Sequence, residues 1–248
     1  MKIKGVILAG GEGKRLWPIS YYIQKTMIPL GPEEKPLLEF IIRLLKLNGI
    51  NDIVILIGYK GNQIKNYFGN GERFNVNIDY SEDDENYKGS AGALLKAYIN
   101  GLFNDTENVL IYYGDILGDF NLKEMMMFHS SRNADATLMV TEKYNVPVGI
   151  AKIENDKIIE LKEKPWLELN ATIGILTMKT NLISLIKKIH KKETDIMSDF
   201  IPFLIKENYL ILPYFFKDKW YDIGSIERYE KIDKTWLNSI YQKLFYQF

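Results

Sequence analysis

The 248-residue sequence contains no cysteine. This excludes disulfides, thiolate metal sites and thiol nucleophiles together, so any metal the chain holds is expected on oxygen ligands. Histidine is scarce: His129 lies in "MMMFHSSR", where a helix-surface position is expected, and His190 lies at a Lys-rich helix end. Neither has the setting of a catalytic acid or base. Charge of one sign is not in excess, with 32 Lys+Arg against 32 Asp+Glu. No net field draws the chain to nucleic acid or anionic membrane, and neither partner is expected. No apolar run approaches the ~20 residues of a membrane span, and the run in "MKIKGVILAGG" is too short for a secretory leader. The expected location is the cytoplasm. Arginine occurs only at positions 15, 43, 73, 132 and 228, which makes Arg15, inside a Gly-rich stretch, conspicuous.

What is present suffices for a sizeable core, at 46% hydrophobic residues. In the first half, β-branched runs at 5–9, 52–58, 75–80 and 108–115 read as strands buried on both faces. Between them, "PLLEFIIRLLKLNG" reads as a helix opened by Pro36 and ended by Gly49, and 90–101 as another. Strand and helix in alternation predict an α/β fold, a Rossmann-like, mainly parallel sheet flanked by helices. The second half offers consecutive strands at 135–142, 147–155, 157–164, 170–178 and 209–216, with helices at 121–132, 181–191 and 198–207. These predict a mixed extension of the same sheet. Ile232, Trp236, Ile240 and Leu244 recur every four residues, as in an amphipathic C-terminal helix over about 228–248. Such a helix packs on its own fold or makes a contact in a homo-oligomer. With no repeat or linker, one domain is expected over 1–248.

The stretch "VILAGGEGKRLWPIS" fits neither of two named phosphate loops. Gly11 and Gly13 match the first glycines of a dinucleotide fingerprint, but its third position is Leu16. Gly13-Lys14 is followed by Arg15 rather than Ser or Thr, and the spacing from Gly10 is too short for a Walker A loop. Two readings stay open for the loop alone. It is an anion cradle, with backbone N–H groups and a guanidinium fork, or it is a glycine turn with an exposed Arg.

Further motifs follow in order. "QKTMIPLG" places Lys25 ten residues after Arg15, and "KPLLE" starts the helix. Taken together, these elements resemble the opening of the sugar-1-phosphate nucleotidyltransferases, whose pattern runs L-A-G-G-x-G-T-R-L-x-P, then P-K-x-M-x-P, then K-P-L. "YSEDDENYKGSAGALLKA", "LIYYGDILG", "LKEKP", "NATIGILTM" and "WYDIGSIERYE" resemble the family's later elements, so the likeness spans residues 6 to 229. Lys14 stands where the family usually has Thr, Gln24 and Thr26 flank Lys25 where Pro is common, and Ser225-Ile226 replaces Thr-Pro. None of these removes a charged group.

The resemblance implies a nucleotide-diphospho-sugar transferase fold, with a nucleotide half over about 1–120 and a sugar half over about 121–227. It implies attack by a sugar 1-phosphate on the α-phosphorus of an NTP, releasing pyrophosphate. That nucleophile is already ionised, so no general base is needed. Arg15 and Lys25 become the catalytic cations. Leu8, Ala9, Gly10, Gly11, Gly13, Glu82, Gly89 and Ser90 become nucleotide contacts. Gly149, Glu163, Lys164, Asn170 and Thr172 become contacts to the sugar phosphate, and Asp115 and Asp222 ligands of Mg²⁺. A carboxylate within 82–85 leans the base toward guanine, with glucose, mannose or a heptose as the sugar. A non-catalytic sugar-nucleotide sensor on the same fold is expected to have lost Arg15, Lys25, Asp115 or Asp222; all four are present. The chain stops soon after the Asp222 motif, so the short form of the family, without a C-terminal β-helix domain, is expected.

Overall fold

In a computed structural model describing residues 2–146 and 148–246, the chain forms thirteen strands and seven α-helices. The strands are β1 (Ile3–Ala9), β2 (Pro29–Leu30), β3 (Lys35–Pro36), β4 (Asp52–Ile57), β5 (Asn77–Glu82), β6 (Asn108–Tyr113), β7 (Ile116–Gly118), β8 (Ala136–Asn145), β9 (Ile150–Glu154), β10 (Lys157–Lys162), β11 (Trp166–Lys179), β12 (Ile211–Phe215) and β13 (Trp220–Asp222). The helices are α1 (Leu37–Leu47), α2 (Gly61–Phe68), α3 (Gly89–Ile99), α4 (Leu122–Ser131), α5 (Ile201–Lys206), α6 (Ile226–Glu230) and α7 (Lys234–Tyr246).

Seven strands make the main sheet in the order β12-β8-β11-β6-β1-β4-β5. Pairing is parallel except where β11 lies antiparallel between β6 and β8. The expected mixed, mainly parallel sheet is therefore present. Alternate residues of its central strands feed two cores. Ile7, Ile55 and Tyr112 join the layer containing α1, α2, α4 and α7, while Val6, Val54 and Ile111 join the layer of α3 and α5. Because both faces are covered, these strands read as unbroken apolar runs.

Several boundaries differ from the sequence expectation, each for a local reason. The strand expected at 75–80 starts at Asn77, because Asn75 sits at φ 53 and closes a turn. Residues Thr180–Lys188 form a 3-10 helix rather than an α-helix. Ile183, Ile186 and Ile189 recur every three residues, which is that helix's period. The helix expected at 198–207 begins as a π-turn, Ile196–Phe200, and becomes α-helical where Pro202, lacking an N–H, occupies its first turn. The expected 228–248 helix is two helices, α6 and α7. Asp233 breaks it by accepting from the N–H groups of Thr235 (3.0 Å) and Trp236 (3.1 Å), which makes it the N-cap of α7. Residues 247–248, and Pro147 of the strand expected at 147–155, lie outside the described residues. α7 packs on its own fold: Tyr241 and Phe245 meet Phe40 of α1 at ring distances of 5.9 and 5.0 Å. Among the described residues no helix is long and apolar enough to cross a membrane.

His129 is a correction of another kind. It is 2% exposed and faces the sheet, with Nδ1 2.9 Å from Thr137 Oγ1 and Nε2 3.1 Å from Asn108 Oδ1. The period of α4 turns it inward, and two polar partners make burial tolerable. Burial and then the Lys179 charge pull its pKa down to about 4, against a smaller opposing effect of Asp135. Between pH 6.5 and 4 the unfolded chain binds a proton that the native state does not. Stability is accordingly full above pH 6.5 and falls as pH drops toward 4, by on the order of 3 kcal/mol from this group. Urea unfolding at about pH 7 and about pH 4.5 measures this, and His129→Gln is expected to flatten that part of the acid limb.

Candidate active site

Parallel strands end on one edge of a sheet, and their loops meet there. The loops after β1, β4, β5 and β6 line a cavity of about 1220 Å³. Gly114, just past β6, donates to Leu8 O at 3.0 Å, and a Cβ on it would fall 2.6 Å from that oxygen. Only glycine allows this approach, which aims the next residue, Asp115, into the cavity. Its carboxylate forms an ion pair with Lys25, whose side chain is 14% exposed.

Lys25 is held by its neighbour. Gln24 is fully buried; its Nε2 donates to Ala9 O (2.7 Å), and its Oε1 accepts from Thr26 N (2.6 Å) and Thr26 Oγ1 (2.7 Å). Its own N–H donates to Gln63 Oε1 (2.7 Å), while Gln63 Nε2 donates to Tyr22 O (2.8 Å). The Gln24 side-chain amide therefore ties the end of β1 to the Lys25 turn, and its main-chain N–H ties that turn to α2. Sequence reading noted Gln24 only as a departure from proline. Its signal was a buried position with no apolar character, visible only once the loops meet.

The second expected aspartate arrives from far along the chain. β13 pairs antiparallel with β7, which sets Asp222 opposite Ile116, and Ile223 N donates to Asp115 O at 2.7 Å. The two expected metal ligands are thus adjacent in the fold. Asp222 Oδ2 pairs with Arg228, which also reaches Tyr144 Oη at 3.3 Å. Asp222 Oδ1 is buried and without a partner among the described residues. No cluster of three or more His, Asp or Glu among the described residues would hold a metal unaided. A two-carboxylate, all-oxygen set with an unsatisfied oxygen suits Mg²⁺, which takes one or two protein carboxylates and completes its shell with phosphates and water. Arg15, expected near the same point, lies against Gly224: a Cβ there would fall 3.0 Å from its Nη2 and 2.6 Å from Asp222 Oδ1. Among the described residues Arg15 has no ion-pair partner.

On the opposite wall, the acidic run divides by geometry. Glu82 lines the cavity, but its carboxylate is engaged by Lys65, whose hydrogen bond and charge hold its pKa below the usual range. Asp83 faces Gly10 and Gly58; a Cβ on Gly58 would fall 1.8 Å from Asp83 Oδ2. Burial pushes its carboxyl up, against the pull of Lys96. Gly89 and Ser90 also line the cavity at the start of α3, but the Ser90 hydroxyl donates to Asp195 (2.6 Å) and accepts from Ile196 N (2.9 Å). Ser90 thereby fastens α3 to the Ile196–Phe200 turn in its own layer.

Leu8, Ala9, Gly10, Gly11, Gly13, Arg15, Lys25 and Asp115 all line the cavity. The expected sugar-side residues do not. Gly149, Glu163, Lys164, Asn170 and Thr172 are exposed and outside its lining. Gly149 and Glu163 are nevertheless neighbours, since a Cβ on Gly149 would fall 3.0 Å from Glu163 Oε2. Asn170 lies where the β11–β8 ladder slips between Glu168 and Ala171.

Comparison with known proteins places these features in context. A family profile described as nucleotidyl transferase matches residues 4–239. A Synechocystis UTP–glucose-1-phosphate uridylyltransferase is 32% identical over 92% of this chain, which spans only 61% of that protein. A D-glycero-alpha-D-manno-heptose 1-phosphate guanylyltransferase of Aneurinibacillus thermoaerophilus is 34% identical over 66% of this chain and 69% of its own. A solved Bacillus anthracis protein, provisionally named a glucose-1-phosphate thymidylyltransferase and bound to sucrose, superposes with a TM-score of 0.77 at 24% identity, over 99% of this chain and 98% of its own. That likeness establishes the fold.

The Gln24 clip makes a stability prediction. Gln24→Leu keeps the volume but strands the Ala9 carbonyl and the Thr26 donors, at about 1–3 kcal/mol for each group left buried and unpaired. Chemical denaturation is expected to show a loss of at least about 2 kcal/mol; a variant as stable as the wild type would show that water replaces the clip.

Proposed function

Because the chain belongs to the nucleotidyl transferase family, we propose that it transfers a nucleotidyl group from an NTP to a sugar 1-phosphate, giving an NDP-sugar and pyrophosphate. The observation that carries this reading is the meeting of Lys25, Asp115 and Arg15 in the lining of a cavity with a glycine loop, with Asp222 laid beside Asp115 by the β7–β13 pairing. Two phosphate-bearing anions repel in water, and a site that joins them must supply positive charge and alignment. Arg15 and the backbone of residues 10–13 take the terminal phosphates and stabilise the departing pyrophosphate. Lys25 stands at the α-phosphate, where charge develops in the transition state. Asp115 and Asp222 would hold Mg²⁺, which supplies charge neutralisation between the two phosphate groups.

The attacking oxygen belongs to a phosphate monoester, largely ionised at neutral pH with a second pKa of about 6. No general base is required. This agrees with a site to which neither histidine contributes, His129 being buried beneath α4. Glu163 orients the sugar hydroxyls and Lys164 meets the sugar phosphate, with Gly149, Asn170 and Thr172 beside them.

For the base, we place the reading carboxylate at Asp83 rather than Glu82. Glu82 is occupied by Lys65, whereas Asp83 lies against Gly10, in the nucleotide loop itself. An ionised carboxylate is acceptor-only and complements the N1 and N2 donors of guanine. This favours GTP.

Mg²⁺-dependent pyrophosphate release, read for each NTP against glucose, mannose and heptose 1-phosphates, tests the reaction. One reacting pair that is silenced by chelation is expected; no reaction with any pair overturns the reading. Lys25→Ala is expected to keep its fold and lose on the order of 10²-fold or more in kcat. In Asp83→Asn, the ratio of kcat/KM for GTP over UTP is expected to fall at least about tenfold, since a bidentate acceptor becomes half donor. An unchanged ratio would move base recognition elsewhere.

A further inference from the structure

Arg228 stands at the reaction centre with no role in the proposed reaction. It is the third residue of α6, and its backbone is fixed where Arg228 N donates to the N-cap hydroxyl, Ser225 Oγ, at 3.4 Å. One guanidinium nitrogen pairs with Asp222 Oδ2, and the other reaches Tyr144 Oη at 3.3 Å. Each of the two expected metal carboxylates is therefore held by its own cation, Asp115 by Lys25 and Asp222 by Arg228. In the proposed reaction Lys25 exchanges its carboxylate for the α-phosphate. Arg228 has the same arrangement and no phosphate assigned to it.

The acceptor side of the site is short of such a cation. Lys164, expected there, has a side chain 53% exposed, lies 3.7 Å from the Glu163 carboxylate and stands outside the cavity lining. It follows the β9–β10 hairpin, whose two strands pair only with each other. A phosphate monoester brings about −1.5 to −2 charges at neutral pH, more than one exposed lysine offsets. The placement of Arg228 supplies what is missing. Tyr144 belongs to β8 and lies opposite Leu167 of β11, so Arg228 reaches from Asp222 toward the half of the chain expected to hold the sugar. Arg15 approaches Asp222 from the glycine loop instead, beside Gly224 of the cavity lining. The two arginines thus flank one carboxylate, one from the nucleotide side and one from the sugar side.

We propose that Arg228 binds the phosphate of the acceptor sugar 1-phosphate, a role that rests on the transfer reaction proposed above. While the site is empty, Asp222 holds the guanidinium in place. An incoming phosphate offers the fork two oxygens in the plane it requires, where Asp222 offers one. Its arrival leaves Asp222 Oδ2 free for Mg²⁺, and Tyr144 Oη keeps the side chain on the sugar side through the exchange.

Equilibrium binding with a chelator present tests this without turnover or metal. The probes are GMP, which lacks the phosphate contributed by the acceptor, and GDP-mannose, which carries it; if the pyrophosphate assay selects another pair, its nucleoside monophosphate and NDP-sugar replace them. Arg228→Gln is expected to weaken GDP-mannose at least about tenfold and GMP less than about twofold. Arg228→Lys, a point charge without the fork, is expected to recover part of that loss, and Tyr144→Phe to lose less than Arg228→Gln. In steady state KM for the sugar 1-phosphate is expected to rise by a similar factor, with KM for the NTP unchanged. Should Arg228→Gln fail to fold, Arg228→Lys decides the matter by weakening GDP-mannose more than GMP. Equal weakening of both ligands overturns the role, because an ion pair that only keeps Asp222 in place affects both alike. Weakening of neither overturns it too, by showing that Arg228 stays on Asp222. A wild type that binds neither probe and reacts with no pair overturns the transfer reading itself, and this inference with it.

Discussion

The ion pair between Lys25 and Asp115 is the contact on which the site depends. It joins a turn that follows β1 to the end of β6, two segments ninety residues apart in sequence. Both side chains are largely withdrawn from solvent, at 14 and 20% exposure, so separating them leaves two poorly hydrated charges. The rest of the cavity is arranged to keep them there. Gln24 fixes the lysine's backbone, Gly114 fixes the aspartate's, and the β7–β13 pairing lays Asp222 alongside. In the proposed reaction, a phosphate that draws Lys25 away would find the surrounding geometry already set, and preorganisation of this kind is what makes such electrostatics useful in catalysis.

Much of this was legible in the sequence wherever a local pattern carried the information. The central strands were visible because they are covered on both faces and read as apolar runs, and α1 because Pro36 and Gly49 mark its ends. The cavity-lining glycines, Arg15, Lys25 and both aspartates were found because each belongs to a short motif. What escaped was set by contacts between distant segments. Gln24 looked like a neutral replacement of proline until the loops it joins were seen together. Arg228, one of five arginines, gave no hint that it would face Asp222. The choice between Glu82 and Asp83 depends on where Lys65 of α2 lies, and α2 itself, eight residues long, was absent from the sequence reading.

The acidic run and the hairpin show two ways in which composition alone misleads. Four consecutive acids suggest a solvated loop, yet their carboxylates have separate fates: Lys65 holds one, two glycine backbones press on another, and Lys96 pairs with a third at 3.4 Å. The hairpin reads as two strands of a continuing sheet, and the main sheet passes it by, because β11 takes the place beside β8 and β6. Strand propensity was right there and sheet membership was wrong, since propensity describes a residue's fit to a pleated surface and not its partner.

The pairing of β13 with β7 also divides the chain by content. All of the cavity lining except Glu193 and Gly224 is complete by residue 115, while Asp222 belongs to a three-residue strand at 220–222. Most of the cavity wall and the pairing of its two neighbouring carboxylates therefore draw on different parts of the chain. The hundred or so residues between them, which carry the hairpin, leave the cavity at Asp115 and come back beside it, where Ile223 N donates to Asp115 O.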